Sequence, residues 1–218
     1  KNQPADYVIT TTDTWFIYQL TGEFVTDYAT ASRTLLFDLH SKSYSSKLCD
    51  IWQIDINSLP SLVNNNQLIG EIKNSDLPQL NNTPLMAAIV DQAAALFAQG
   101  CFSKGSGKCT FGTGAFLLVN TGEQPKISTN GLATSLAWQL DATKLPTSLP
   151  TTSYYLDGQV FTAATAITWL IDNQFIQSEK DIDHLPDADG VITTPGFAGY
   201  GAPLWRPNAK AAIAGVGL

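Results

Sequence analysis

The sequence predicts an α/β class, because segments with strand character alternate with segments of helical character along the chain; an α+β arrangement would show the same alternation. Two stretches carry this reading. In "PLMAAIVDQAAALFAQGCF" (84–102) six apolar residues, Leu85 to Val90, have the length and lack of alternation of a buried strand. Asp91 interrupts them, and the Ala-rich "QAAALFAQ" that follows has strong helix propensity. In "KCTFGTGAFLLVNTGE" (108–123) a Gly-Thr-Gly turn joins two strand-like runs and predicts a hairpin.

The remaining elements follow in order. "TTTDTWFIYQLTGEF" (10–24) predicts a short helix capped by Asp13 or the threonines, with its aromatic residues facing inward and Gly22 ending it. "YSSKLCDIWQI" (44–54) predicts a second amphipathic helix. Between Pro60 and Pro84 the Asn, Pro and Leu content predicts surface loops around one short strand in "QLIGEI". The flexible "SKGSGK" places a domain boundary near 100–107. Beyond it "LATSLAWQL" predicts a strand, "DATKLPTSLPTTSYY" a polar loop and "GQVFTAATAITWLIDNQF" a core helix. "DGVITTPGF" and "AAIAGVG" predict two more strands.

Composition narrows the function. Twelve basic against nineteen acidic side chains give a formal charge of -7, which argues against nucleic acid or an anionic membrane as partner. No apolar run has the length of a membrane-spanning helix. The N-terminus lacks a signal-peptide pattern and begins with Lys1, which points to a piece of a longer chain. Cys49, Cys101 and Cys109 with His40 and His184 build no zinc spacing, so buried thiols in a reducing, cytoplasmic protein are expected.

Three groups of residues carry candidate chemistry. Asp91, at the carboxyl end of its predicted strand, stands where α/β proteins place ligands and can serve as a general base. A cap for the helix beginning at Gln92 is the structural alternative. Gly112 and Gly114 can adopt conformations denied to other residues and turn their N–H groups into one concavity, with the Thr113 hydroxyl beside them. That nest suits phosphate, and a plain hairpin is the alternative. "GSGKCT" (105–110) mimics a P-loop, but Phe102 stands where its first glycine belongs and Cys109 follows the lysine. Phe116, Trp15, Trp138, Trp169 and Trp205 could line a sugar or polyol site, though aromatic residues at such spacings usually belong to a core.

These pieces in this order resemble the FGGY carbohydrate kinases, most closely the glycerol-kinase branch. The likeness rests on "TDTWFIYQLTG", "VTDYATASRTLLFDL", "VDQAAALFAQ", "KCTFGTGAFLLVNTGE" and "PGFAGYGAPLWRPNA". It implies a partial actin-like, ribonuclease H-like fold, with 1–102 ending a first, substrate-side domain and 103–218 beginning a second, nucleotide-side domain. It also implies ATP and Mg²⁺ as cofactors and a hydroxyl of glycerol or a related polyol or sugar as acceptor. Asp91 would be the base, Gln92 and Phe116 would contact the substrate, and Gly112, Thr113, Ala164 and Thr168 would lie at the nucleotide. No metal ligand is assigned, and homo-oligomerisation of a longer parent is left open. The chain departs from the branch at Ala164 and Thr168, where glycine and glutamine are usual. It departs again at Arg206 and at Lys210-Ala211. These departures leave a non-catalytic relative with the same fold as the competing reading.

Overall fold

The computed structural model describes residues 8–74, 76–145, 149–184 and 187–217. Parts of the N-terminal segment (1–7) and of the predicted 141–155 loop (146–148) lie outside them. Two units divide the chain: one runs to Ser106 and adds 119–126 and 134–155, the other holds 107–118, 127–133 and 156–218.

The first unit opens with helix α1 (Thr12–Thr21), which buries Thr14, Ile17 and Thr21 along one helical face. Its aromatic residues point outward, contrary to the sequence expectation: Trp15, Phe16 and Tyr18 are each more than half exposed. Positions 15, 16 and 18 fall off the 14–17–21 face, so helical spacing rather than residue type decides which side chains are buried. No side chain caps the helix; Asp13 instead accepts from the Thr26 hydroxyl at 2.6 Å. Gly22 ends it in the left-handed region at φ +80, its N–H donating to Tyr18 O. Strand β1 (Val25–Asp27) leads into a one-turn helix α2 (Tyr28–Ala31), capped by the Asp27 carboxylate on the Thr30 N–H.

Strands β2 (Phe37–Asp38) and β3 (Ser43–Tyr44) pair antiparallel ahead of helix α3 (Ser46–Trp52), whose Ser45 cap accepts from Leu48 N–H. The 60–84 region holds more strand than expected. There β4 (Ser61–Val63) runs parallel to β1, and β5 (Gly70–Glu71) pairs with β6 (Pro84–Leu85). The strand expected over Leu85–Val90 is limited to β6. Residues 86–90 are half-buried or exposed and join no sheet ladder among the described residues. Their backbone is held at Ala88 by Asn65 instead.

Helix α4 (Asp91–Ala98) buries Ala93 and Leu96. Phe97, Phe102 and the fully buried Trp138 form an edge-to-face cluster, with Phe97 and Trp138 centroids 5.3 Å apart. The Trp138 indole donates to Pro150 O at 3.0 Å, which satisfies its buried N–H. Cys49 and Cys101 are buried as expected, whereas Cys109 is exposed.

Strands β7 (Gly107–Phe111), β8 (Ala115–Gly122), β9 (Ala133–Gln139) and β10 (Thr152–Val160) form a four-stranded sheet in the order β7-β8-β10-β9. Strand β10 occupies sequence expected to be loop and helix. Its polar residues are buried but partnered: Ser153 donates to Asn120 Oδ1 at 3.0 Å and Thr152 to Gln139 Oε1 at 2.8 Å. In the second unit, helix α5 (Ala164–Asp172) is shorter than expected and buries no residue completely. Its Trp169 ring lies 4.8 Å from Phe197 and 5.5 Å from Phe175. The two C-terminal strands expected from sequence are present as β11 (Ile192–Thr194) and β12 (Ala212–Ala214), and they pair antiparallel.

Asp27 sets a pH dependence in this fold. Its carboxyl is fully buried, and desolvation raises its pKa above the usual carboxylate range despite hydrogen bonds from Thr30 and Asn65. A folded carboxyl that holds its proton more tightly than the unfolded one contributes stability below the unfolded pKa. That contribution disappears as pH rises through the folded value. Asp27→Asn keeps the shape and removes the titration. The variant should therefore gain on wild type as pH rises above about 4, the unperturbed carboxyl value, measured by urea unfolding. A stability difference that is constant with pH would contradict this.

Candidate active site

The first unit presents the carboxylate. Asp91 is the first helical residue of α4 rather than its cap, a position taken by Val90. The Asp91 side chain is exposed, not desolvated, and its Oδ1 accepts from the Gln92 N–H at 2.7 Å. Gln92, beside it in the same turn, is half-buried. Two anchors fix this turn. Ala88, three residues upstream, is tied to Asn65, and the Phe97 ring packs on Trp138 downstream. An exposed carboxylate on a fixed backbone can accept a proton from a hydroxyl brought to it.

The second unit presents the turn. Helix α5 has no side-chain cap, so the N–H groups of its start need other acceptors. They find them in the turn: Ala163 N–H donates to Thr113 O at 2.9 Å and Ala164 N–H to Gly112 O at 3.0 Å. The Thr165 hydroxyl adds a third bond to Thr113 O at 2.9 Å. Gly112, Thr113, Ala164 and Thr168 are thus gathered on one exposed surface, with the Thr168 hydroxyl back-bonded to Ala164 O at 3.3 Å. Thr113 is exposed, and its hydroxyl makes no hydrogen bond among the described residues. Phe116 sits half-buried on β8, two residues beyond the turn.

The turn differs from expectation in its glycines. Neither Gly112 nor Gly114 lies at positive φ. The Gly112 N–H is spent inside the turn on Gly114 O at 2.8 Å. Gly114 is required by space: a Cβ there would sit less than 3.0 Å from the Val160 carbonyl oxygen. At Gly112 the nearest atom to an added Cβ is 3.9 Å away.

Family models match both parts of the chain. The model of the FGGY carbohydrate kinase N-terminal domain covers residues 2–98, and that of the C-terminal domain covers residues 107–218. The chain belongs to the FGGY family of carbohydrate kinases. It is 39% identical to a glycerol kinase of Myxococcus xanthus over 224 residues, covering 99% of this chain and 44% of that protein. A glycerol kinase of Brevibacillus brevis is 38% identical, with 99% and 43% covered. The crystal structure of Plasmodium falciparum glycerol kinase with ADP superposes with a TM-score of 0.86 at 35% identity, over 96% of this chain and 42% of that one. A ligand-bound xylulose kinase of Lactobacillus acidophilus shares the fold, with a TM-score of 0.78 at 21% identity over 94% and 41%. The chain therefore spans less than half the length of the relatives it matches. Its fold is the actin-like ATPase class of these FGGY kinases, represented in part.

Three positions that support the candidate residues escape sequence reading. Gly114 is visible in the motif, but nothing in the sequence shows that its neighbour is a β10 carbonyl. Thr165 reads as one more polar residue of a helix. Asn65 lies in the triplet Asn64–Asn66, which reads as loop. Of the aromatic candidates only Trp138 is fully buried; Trp15 and Trp205 are 55% and 44% exposed. Trp205 donates its indole N–H to Gly131 O and so belongs to a packed loop. No group of three or more His, Cys, Asp or Glu among the described residues could hold a metal ion. No helix among the described residues is long and apolar enough to cross a membrane.

The turn geometry makes a steric prediction. Gly114→Ala must displace β10 or the turn and should cost about 1–3 kcal/mol, the usual range for overpacking. Gly112→Ala should stay within about 0.5 kcal/mol, as surface substitutions do. Chemical unfolding of both variants checks this; equal costs would show that the turn is not held by the Gly114 contact.

Proposed function

We propose that this chain is part of an ATP-dependent kinase that phosphorylates a hydroxyl of glycerol or a related polyol or sugar. Family membership and the glycerol kinase relatives support the reaction class. The observation that carries the assignment of roles is Asp91, an exposed carboxylate on the first turn of α4, with Ala88 tied to Asn65 before it and Phe97 packed on Trp138 after it. In this reading Asp91 accepts the proton of the attacking hydroxyl, Gln92 hydrogen-bonds the acceptor, and Phe116 provides an apolar wall. ATP supplies the phosphoryl group. Gly112 and Thr113 hold its phosphates, with the exposed Ala164 and Thr168 surface beside them. The outward Thr113 hydroxyl and the open space at Gly112 fit such a ligand. Phosphoryl transfer asks the protein mainly for positioning and charge stabilisation, which fixed backbone supplies.

The same reading takes 1–102 as part of the substrate-side domain and 103–218 as part of the nucleotide-side domain. It places the protein in the cytoplasm, with Mg²⁺ accompanying ATP and a small molecule as its partner. Homo-oligomers of a longer parent are compatible with it. The departures at Ala164 and Thr168, both on the exposed face of α5, favour a second reading: a non-catalytic module that retains the fold.

Asp91→Asn separates the two. The amide keeps the shape and hydrogen-bonding reach but cannot take up the proton. In the full coding sequence that contains these residues, kcat should fall about 10²- to 10⁴-fold, or roughly 3–5 kcal/mol. Acceptor affinity should change far less. A kcat within about threefold of wild type, in steady-state assays, would remove Asp91 from the chemistry.

A further inference from the structure

We propose that Asn65 is the residue that positions Asp91, acting through the backbone of Ala88; this rests on the kinase reading above. Asn65 is 4% exposed and uses every polar group it has. Its Nδ2 donates to Asp27 Oδ1 and to Ala88 O, both at 2.8 Å. Its Oδ1 accepts from Gln139 N–H at 2.8 Å. Its own N–H donates to Gln139 O at 2.8 Å, and its carbonyl accepts from Ala88 N–H at 3.3 Å. One side chain thereby ties β1, β9 and the 86–90 segment together.

The consequence falls on the site. Residues 86–90 pair with no strand among the described residues, so the two bonds at Ala88 hold them where a ladder otherwise would. Three residues later the chain is Asp91. An extended residue advances about 3.3 Å, so a shift at Ala88 passes to the carboxylate with little slack. The hub itself is stiff. Asp27 is held in turn by Thr30, whose N–H donates to the same Oδ1 at 3.0 Å and whose hydroxyl donates to Oδ2 at 2.5 Å. Only a side chain with two donors and one acceptor at this reach serves all three neighbours. Alanine loses every side-chain bond. Aspartate keeps the acceptor toward Gln139, loses both donors and meets the Asp27 carboxyl.

Asn66 provides a matched control. It bonds to the same end of β9, donating to Asp141 O at 3.3 Å and accepting from Asp141 N–H at 2.7 Å, and its side chain makes no hydrogen bond to 86–90 among the described residues. The test compares Asn65→Ala, Asn65→Asp and Asn66→Ala in the full coding sequence. Its readouts are amide hydrogen exchange at residues 88–92 and steady-state kinetics with glycerol and ATP. Both Asn65 variants should speed exchange at 88–92 by about tenfold or more, the mark of a local opening. Their kcat should fall on the order of 10²-fold, the cost of a small misplacement, with the KM for ATP little changed. Asn66→Ala should leave both readouts within about threefold. Equal effects from the Asn65 and Asn66 variants would overturn the proposal. So would unchanged exchange at 88–92, or faster exchange with unchanged kcat. If wild type transfers no phosphoryl group, the kinase reading fails and exchange alone decides whether Asn65 positions this segment. If Asn65→Ala does not fold, Asn65→Asp, which keeps the β9 pairing, carries the same comparison.

Discussion

Helix α5 starts without a capping side chain, and the carbonyls of Gly112 and Thr113 accept the N–H groups left over at its start. Orphan helix donors are costly to leave unpaired, so turn and helix form one object. The Thr165 hydroxyl reinforces the joint, and the lack of a side chain at Gly114 lets β10 approach. This has a chemical consequence. The amides at the start of α5 that in other proteins receive an anion are occupied here, so under the proposed function a phosphate would meet the surface of the turn itself, where Thr113 is exposed.

The first unit solves a related problem with a side chain. The segment before Asp91 lacks a strand partner among the described residues, and the Asn65 amide and carbonyl supply what a neighbouring strand would. The hub is buried beside Asp27, whose desolvated carboxyl accepts from it. Aromatic packing of Phe97 and Phe102 on Trp138 fixes the far end of the same helix. In each unit the candidate residues therefore rest on backbone groups satisfied by unusual partners, and Asp91 and Thr113 are left exposed.

Local signals made part of this legible from sequence. Gly22 ends α1 and the Gly-Thr-Gly turn joins β7 to β8, because caps and turns are written in neighbouring residues. What depended on distant partners was not legible. The aromatic residues of α1 read as core, although only their helical phase decides burial. Thr152 and Ser153 read as solvent-facing loop, although hydrogen bonds to Gln139 and Asn120 let them be buried in β10. Leu85–Val90 read as a buried strand from the length and lack of alternation of the apolar run, and neither supplies a ladder. Asp91, Gln92 and the turn came from motif and resemblance, whereas the supporting Asn65, Gly114 and Thr165 depend on contacts 23 to 74 residues away in sequence.

Under the proposed function these residues belong to a working phosphotransferase rather than to a fold that has lost its chemistry. The most direct test of this is transfer of label from γ-labelled ATP to glycerol and to a panel of polyols and pentuloses, using the full coding sequence that contains this chain. The account predicts a labelled phosphoester on at least one acceptor, formed only when that acceptor is present. Nucleotide binding with no label on any acceptor would contradict it and leave the non-catalytic reading in its place.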